Sequence, residues 1–234
     1  MAVNISRYVD DFLGVLDLFV SANIDELTGE DLSRFYSEVF NGLKERYFGG
    51  SWGFEGVTEF LILRALYYIG KGKYGEEPRI IPITESLRGF HFLQAGSRGL
   101  MLSAGRPLAI DNDNGEGRIW PDILVYEPED ERRPERVARI KSAIEIKAYP
   151  QRGYKGIAET LERLKKIKDS ALGGGARLAF IIYDYPVKNK KQSKIWRYLM
   201  GEGVQGYDTI PEDIDVLVLS ITKERVKDLL WKYI

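Results

Sequence analysis

With no cysteine and a single histidine, His91, among 234 residues, the sequence offers no thiolate nucleophile, no Cys-type zinc site, no iron–sulfur cluster and no two-histidine metal site. Chemistry must come from carboxylates, lysines and hydroxyls. One grouping stands out. Pro121-Asp122 opens an apolar run, and Glu145-Ile146-Lys147 lies near the end of the next, with a 22-residue spacer between Asp122 and Glu145. Residues two apart in a strand point to one face, so Glu145 and Lys147 share a side while Ile146 turns into the core. A strand otherwise made of Ala143, Ile144 and Ala148 has no packing reason to carry a carboxylate beside an ammonium. Burying either one unpaired costs several kcal/mol. A divalent cation and a phosphate would neutralise both. Mg2+ takes hard oxygen ligands, usually one or two carboxylates with waters and phosphate oxygens. Asp122 and Glu145 can supply two carboxylates, and a main-chain carbonyl beside Glu145, that of Ile146, a third oxygen. Such a cation would polarise a phosphodiester and lower the pKa of a bound water, and Lys147 would orient that water and offset developing charge. The competing reading is an exposed edge strand with a surface Glu–Lys pair.

The elements that must position these groups follow from periodicity. Val9, Phe12, Leu13, Leu16, Phe19 and Val20 repeat at helical spacing, as do Leu32, Phe35, Tyr36, Val39, Phe40, Leu43 and Tyr47, with Thr28 as the N-cap of the second helix. Residues 1–48 thus read as a helical hairpin. After a glycine-rich break, a third helix runs from about Glu55 to Ile69 and ends in Gly70 and Gly72. From Arg79 to Tyr149 the pattern changes to short strand-like runs: Ile80 to Ile83, Leu100 to Ser103, Pro107 to Ile110, Ile119 to Tyr126 and Ala143 to Tyr149. Between them, Glu127 to Lys141 holds five acidic residues, five basic residues and two prolines, and reads as a solvated loop or hairpin tip. Helical spacing returns at Ile157, Leu161, Leu164 and Ala171, followed by a buried strand Leu178 to Tyr183, a helix through Ile195 and Leu199, a strand Val216 to Ile221 and a terminal helix Val226 to Tyr233. The expectation is an α/β fold with a mixed central sheet and helices on both faces.

Charge is unevenly spread. Residues 1–140 carry 16 Lys and Arg against 23 Asp and Glu, residues 141–200 carry 14 against 5, and residues 201–234 carry 4 against 7. A basic block inside an acidic protein points to a polyanionic partner. Lys190, Lys194 and Arg197 recur at i, i+4 and i+7, with Lys188 and Lys191 alongside, and no acid intervenes from 188 to 197. Each lysine that neutralises a phosphate would add salt-sensitive affinity. An ordinary solvated helix face is the alternative. Gln151, Arg152, Tyr154 and Lys155, just past the Glu145 strand, are further groups able to contact a phosphate backbone.

At Pro121-Asp122 and Glu145-Ile146-Lys147 the sequence resembles the PD-(D/E)XK phosphodiesterase superfamily, the restriction-endonuclease-like nucleases. Element order extends the resemblance over roughly residues 55–220. It implies a restriction-endonuclease-like mixed central sheet flanked by helices in residues 49–234, behind the N-terminal helical hairpin. It further implies Mg2+- or Mn2+-dependent hydrolysis of nucleic acid, with Asp122 and Glu145 as metal ligands and Lys147 as the catalytic lysine. Many members carry an acidic residue on the first core helix that reaches the metal. Glu59, which interrupts the apolar stripe of Ile62, Leu63 and Leu66, is the first candidate here and Glu55 the second. Pairing of Glu59 with Arg64 or Arg88, or exposure to solvent, is the alternative. Gln151 and Tyr154 resemble the Gln and Tyr that follow the catalytic strand in RecB-like nucleases, but Gln-x-x-Tyr is one residue short of that spacing, and membership of that group is not assigned.

Other motifs lead nowhere. Gly201-x-Gly203-x-x-Gly206 follows a helix where a dinucleotide site needs a strand. Asp111, Asp113 and Glu116 lack the glycine position and the twelfth-position Glu of a calcium loop and read as a hairpin turn. His91 reads as structural, or at most as a substrate contact. No run of 18 or more apolar residues occurs, and Met1 to Asp11 has no basic n-region or cleavage site, so a soluble, cytoplasmic protein is expected. Few Asn and Gln beside many Glu, Lys and Arg resemble thermophile composition. The expected partner is nucleic acid, DNA first, with the N-terminal hairpin a candidate for DNA contacts or for a homodimer interface, and no membrane.

Overall fold

The computed structural model of the chain describes residues 5–43, 55–83, 87–93, 98–112, 115–130, 132–149, 153–184 and 193–234. The α-helices are Ile5–Asn23 (α1), Gly29–Leu43 (α2), Glu55–Tyr74 (α3), Gly153–Asp169 (α4), Lys194–Leu199 (α5) and Val226–Leu230 (α6). The strands are Arg79–Pro82 (β1), Arg88–Phe92 (β2), Leu100–Ala104 (β3), Leu108–Asn112 (β4), Gly115–Ile119 (β5), Ile123–Asp130 (β6), Arg133–Lys147 (β7), Arg177–Ile182 (β8) and Ile214–Val218 (β9). Seven of them form one sheet in the order β1-β2-β3-β6-β7-β8-β9, and β4 with β5 makes a separate hairpin. Pairing is antiparallel from β1 through β7 and parallel from β7 through β9. The mixed α/β expectation holds.

Alternation along the central strands sorts the core into two layers. Ile144 and Ile146 of β7 and Ala179 and Ile181 of β8 face Leu61, Ile62, Ala65 and Leu66 of α3. Ala143 of β7 and Leu178, Phe180 and Ile182 of β8 face Ile157, Leu161, Leu164 and Ile167 of α4. The sheet is therefore covered on both sides at β7 and β8, which is why those strands read as near-continuous apolar runs. The N-terminal helices share the α3 layer: Leu16, Val20, Leu27 and Leu32 are buried in it. Thr28 caps α2 as expected, its hydroxyl accepting from the Asp31 N–H at 3.1 Å while the Asp31 carboxylate accepts from the Thr28 N–H at 3.2 Å. The Ser33 hydroxyl donates to the Tyr183 carbonyl at 2.7 Å, and the Val226 N–H donates to the Leu27 carbonyl at 2.7 Å, tying α2 and its approach to the end of β8 and to α6.

Two expectations are corrected. Helix α3 does not stop at Gly70 and Gly72 but runs to Tyr74, with Gly75 at φ 77° after it. Gly70 is there for contact: a Cβ at that position would lie 2.7 Å from the Phe92 ring, so the helix packs on β2 where only glycine fits. The segment from Glu127 to Lys141, expected as a solvated loop or hairpin tip, is a hairpin whose arms are longer than expected: its described residues form the paired outer half of β6–β7, with Glu127 opposite Arg139 and Pro128 opposite Val137. Charged residues on both faces of a solvated hairpin hide the two-residue period. Among the described residues, no helix is long and apolar enough to cross a membrane.

Candidate active site

Asp122 stands one step before β6, in the Trp120-Pro121-Asp122 break that separates β6 from β5. Its carbonyl accepts from the Gly105 N–H at 3.0 Å, and its carboxylate Oδ2 accepts from the Ile146 N–H at 2.6 Å. The chain reversal is thus clamped to the end of β7. Ile123 pairs with Ile144, so Asp122 falls beside Glu145 in the same register. Glu145 lies on the α4 side of the sheet, opposite in facing to Ile144 and Ile146, and is 0% exposed. The strand pair brings together the three residues singled out in the sequence. Lys147 Nζ is 3.5 Å from Asp122 Oδ2 and 3.9 Å from Glu145 Oε2.

The fourth member of the group was not anticipated. Arg163 of α4 reaches across to Glu145 and donates to Oε2 at 2.6 Å. It lies three residues after Thr160, which together with Ile157, Leu161 and Leu164 lies on the buried side of α4. That spacing could have placed Arg163 over the sheet; the need of a buried carboxylate for a cation was the missing prompt.

Burial, and then the like charge of Asp122, push the Glu145 carboxyl up to about 7 against the pull of Arg163 and Lys147, with Glu59 adding slightly to the rise. Oε2 is engaged, whereas Oε1 is buried and has no hydrogen-bond partner. An orphaned, desolvated carboxylate oxygen beside a second carboxylate is where a cation gains most. The donor set fits Mg2+ or Mn2+: two carboxylates, Asp122 and Glu145, with the Ile146 carbonyl on the same stretch of chain. Glu59 of α3 and Lys147 line a common cavity of about 600 Å³ that opens between α3, α4 and the end of β7. Among the described residues, no group of three or more His, Asp or Glu side chains is gathered as a ready-made metal cage. Glu59 is not matched to Arg64, whose guanidinium instead donates to Asp17 at 2.5 Å.

The proposed nucleic-acid contacts fare differently. Gln151, Arg152, Lys188, Lys190 and Lys191 lie outside the described residues. Tyr154 has partners within the protein: its ring stacks on Tyr207 with centroids 3.8 Å apart, and its hydroxyl accepts from the Asp208 N–H at 2.7 Å. Lys155 is exposed, 4.0 Å from Glu159. Of the expected basic helical face, only Lys194 and Arg197 are described: Ser193 caps α5 and the helix begins at Lys194. Arg197 pairs with Glu202 at 2.6 Å and Lys194 remains exposed. His91 is buried, its Nε2 3.1 Å from the Arg98 carbonyl, as befits a structural residue.

Comparison with protein-family models, with curated proteins and with solved structures finds no match to this chain.

Proposed function

We propose that this protein is a metal-dependent nuclease of the restriction-endonuclease-like type, hydrolysing phosphodiester bonds of nucleic acid, DNA first. The observation that carries the reading is the convergence of Asp122, Glu145 and Lys147 at the end of a covered strand pair, with one carboxylate oxygen of Glu145 buried and unpartnered. Asp122, Glu145 and the Ile146 carbonyl would hold Mg2+ or Mn2+, with Glu59 on the wall of the cavity that Ile146 and Lys147 also line. Bound there, the ion supplies Lewis acidity toward the phosphate and a more acidic water. The chain's own groups do the rest. The Ile146 N–H fixes the Asp122 carboxylate, and Arg163 takes Oε2 of Glu145, which leaves Oε1 as the unpartnered oxygen. Lys147, held between the two carboxylates and 36% exposed, presents an ammonium to a phosphate oxygen and to the attacking water. The basic balance of residues 141–200 supplies attraction for the polyanion.

A binding module that keeps this arrangement without turnover is the second reading, and one observation favours it: Arg163 and Lys147 already place two cations near the two carboxylates. Incubation of wild type and Lys147→Ala with circular, linear, single-stranded and branched DNA and with RNA, in Mg2+, Mn2+ or EDTA, separates the two. Metal-dependent cutting that disappears in Lys147→Ala is the expected result. Salt-sensitive binding without cutting by wild type would select the non-catalytic module.

A further inference from the structure

Among the described residues, the cavity beside Lys147 is not lined by unopposed positive charge. Its wall carries, among the described residues, Lys147, Arg163 and Lys166 together with Glu59, Glu159 and Glu162, three cations and three carboxylates. Several are already matched within the protein, Lys166 with Glu162 at 3.9 Å and Arg163 with Glu145 at 2.6 Å. A surface that grips a duplex backbone does so by unopposed positive charge, because a phosphodiester offers only acceptors. Mixed donors and acceptors in a concave wall suit the edge of a nucleobase, which offers both. At the same cavity stands Tyr149, two residues beyond Lys147 and 46% exposed. Tyr154 has Tyr207 to stack on, whereas Tyr149 stacks on no ring among the described residues. A volume of about 600 Å³ falls within the ordinary range of small-ligand pockets and admits one nucleotide.

Resting on the nuclease reading, we infer that the strand acted on is unpaired at the nucleotide beside the scissile phosphate, whose base leaves its stack, enters this cavity and stacks on Tyr149. Bases inside a continuous duplex present their faces to one another and cannot reach an aromatic in a recess unless they are extruded. The substrate class is therefore single strands or duplexes interrupted by unpaired nucleotides, rather than continuous duplex.

The test is equilibrium binding in EDTA, where cutting cannot intervene, using fluorescent single-stranded oligonucleotides, the matched continuous duplex and a single strand made abasic at every position, each as DNA and as RNA. Base–aromatic stacking is lost on truncation to alanine, so Tyr149→Ala should bind intact single strands about tenfold or more weakly than wild type. Tyr149→Phe, which keeps the ring, should bind as wild type does. Wild type should also prefer the intact strand to the abasic one by a similar factor, in whichever sugar series it binds. Equal affinity for single strand and duplex, or no loss in Tyr149→Ala, overturns the inference. Tyr149-dependent strand binding without metal-dependent cutting would reject the nuclease and keep the base pocket; cutting of continuous duplex indifferent to Tyr149 would do the reverse.

Discussion

The β6–β7 hairpin carries two glutamates in nearly the same company. Glu127, on the outer half, has Arg139 at 2.7 Å and Lys141 at 3.5 Å. Glu145, on the inner half, has Arg163 at 2.6 Å and Lys147 at 3.9 Å. Their acidities nevertheless move in opposite directions. The hydrogen bond from Arg139 lowers the Glu127 carboxyl below its usual range, whereas burial and then Asp122 raise that of Glu145 to about 7. Partner type and distance do not account for the difference; loss of water and a second carboxylate do. One end of the hairpin is a solvated lattice of ion pairs, and the other is a place where charge is held at a cost and a cation would relieve it.

The largest effect that sharpens this contrast concerns activity. Asp122→Ala, Glu145→Ala and Lys147→Ala should each lower metal-dependent cleavage by roughly 10²–10⁴-fold, in line with losing a group that positions or stabilises the reacting charges. Glu127→Ala should cleave as wild type does. A rate assay on one DNA substrate decides it, and full activity in all three inner variants would remove the proposed site.

Stability against pH comes next. Glu145 titrates near 4.5 when unfolded and about 7 when folded. Between those values the folded state binds more protons than the unfolded state, so the contribution of this group to stability falls as pH rises from about 4.5 to about 7 and stays low above that. Glu145→Gln cannot ionise and escapes the fall. In EDTA it should match wild type near pH 4 and exceed it by on the order of 2 kcal/mol at pH 8, read from urea midpoints. A gap that is the same at both pH values would contradict the assignment.

Arg163→Ala should cost about 1–2 kcal/mol at pH 8, less than for a fully buried pair because the guanidinium is 44% exposed, and Arg163→Lys should restore part of it. Smallest of all, Arg139→Ala should leave the urea midpoint close to that of wild type, since the arginine is 53% exposed and its pair is screened by salt.

How much of this was legible in the sequence follows the same line between buried and solvated. Strands β7 and β8 announced themselves because both faces are covered, and so did the juxtaposition of Asp122, Glu145 and Lys147, which needs only strand alternation and neighbouring strands. The outer half of β6–β7 reads only as a loop or hairpin tip, because exposed charges obey no apolar period. The true end of α3 was missed because Gly70 and Gly72 look like stop signals, while the reason for Gly70, the Phe92 ring against it, lies on a strand distant in sequence. For Arg163 the spacing on α4 is only half of the signal: it sets the arginine over the sheet, and topology decides that Glu145 is the residue it meets. Tyr154 shows the converse limit: its place after the strand suggests a ligand contact, and only the fold shows its ring on Tyr207 and its hydroxyl on Asp208.

The central claim is that the inner end of the hairpin is a divalent-cation site and the outer end is not. Titration of Mn2+ into the protein, followed by calorimetry or by the loss of free Mn2+ signal in electron paramagnetic resonance, tests it most directly. The account predicts saturable binding by wild type and by Glu127→Ala that vanishes in Glu145→Gln and Asp122→Asn. No saturable binding by wild type, or binding unchanged when Glu145 and Asp122 are neutralised, would contradict it.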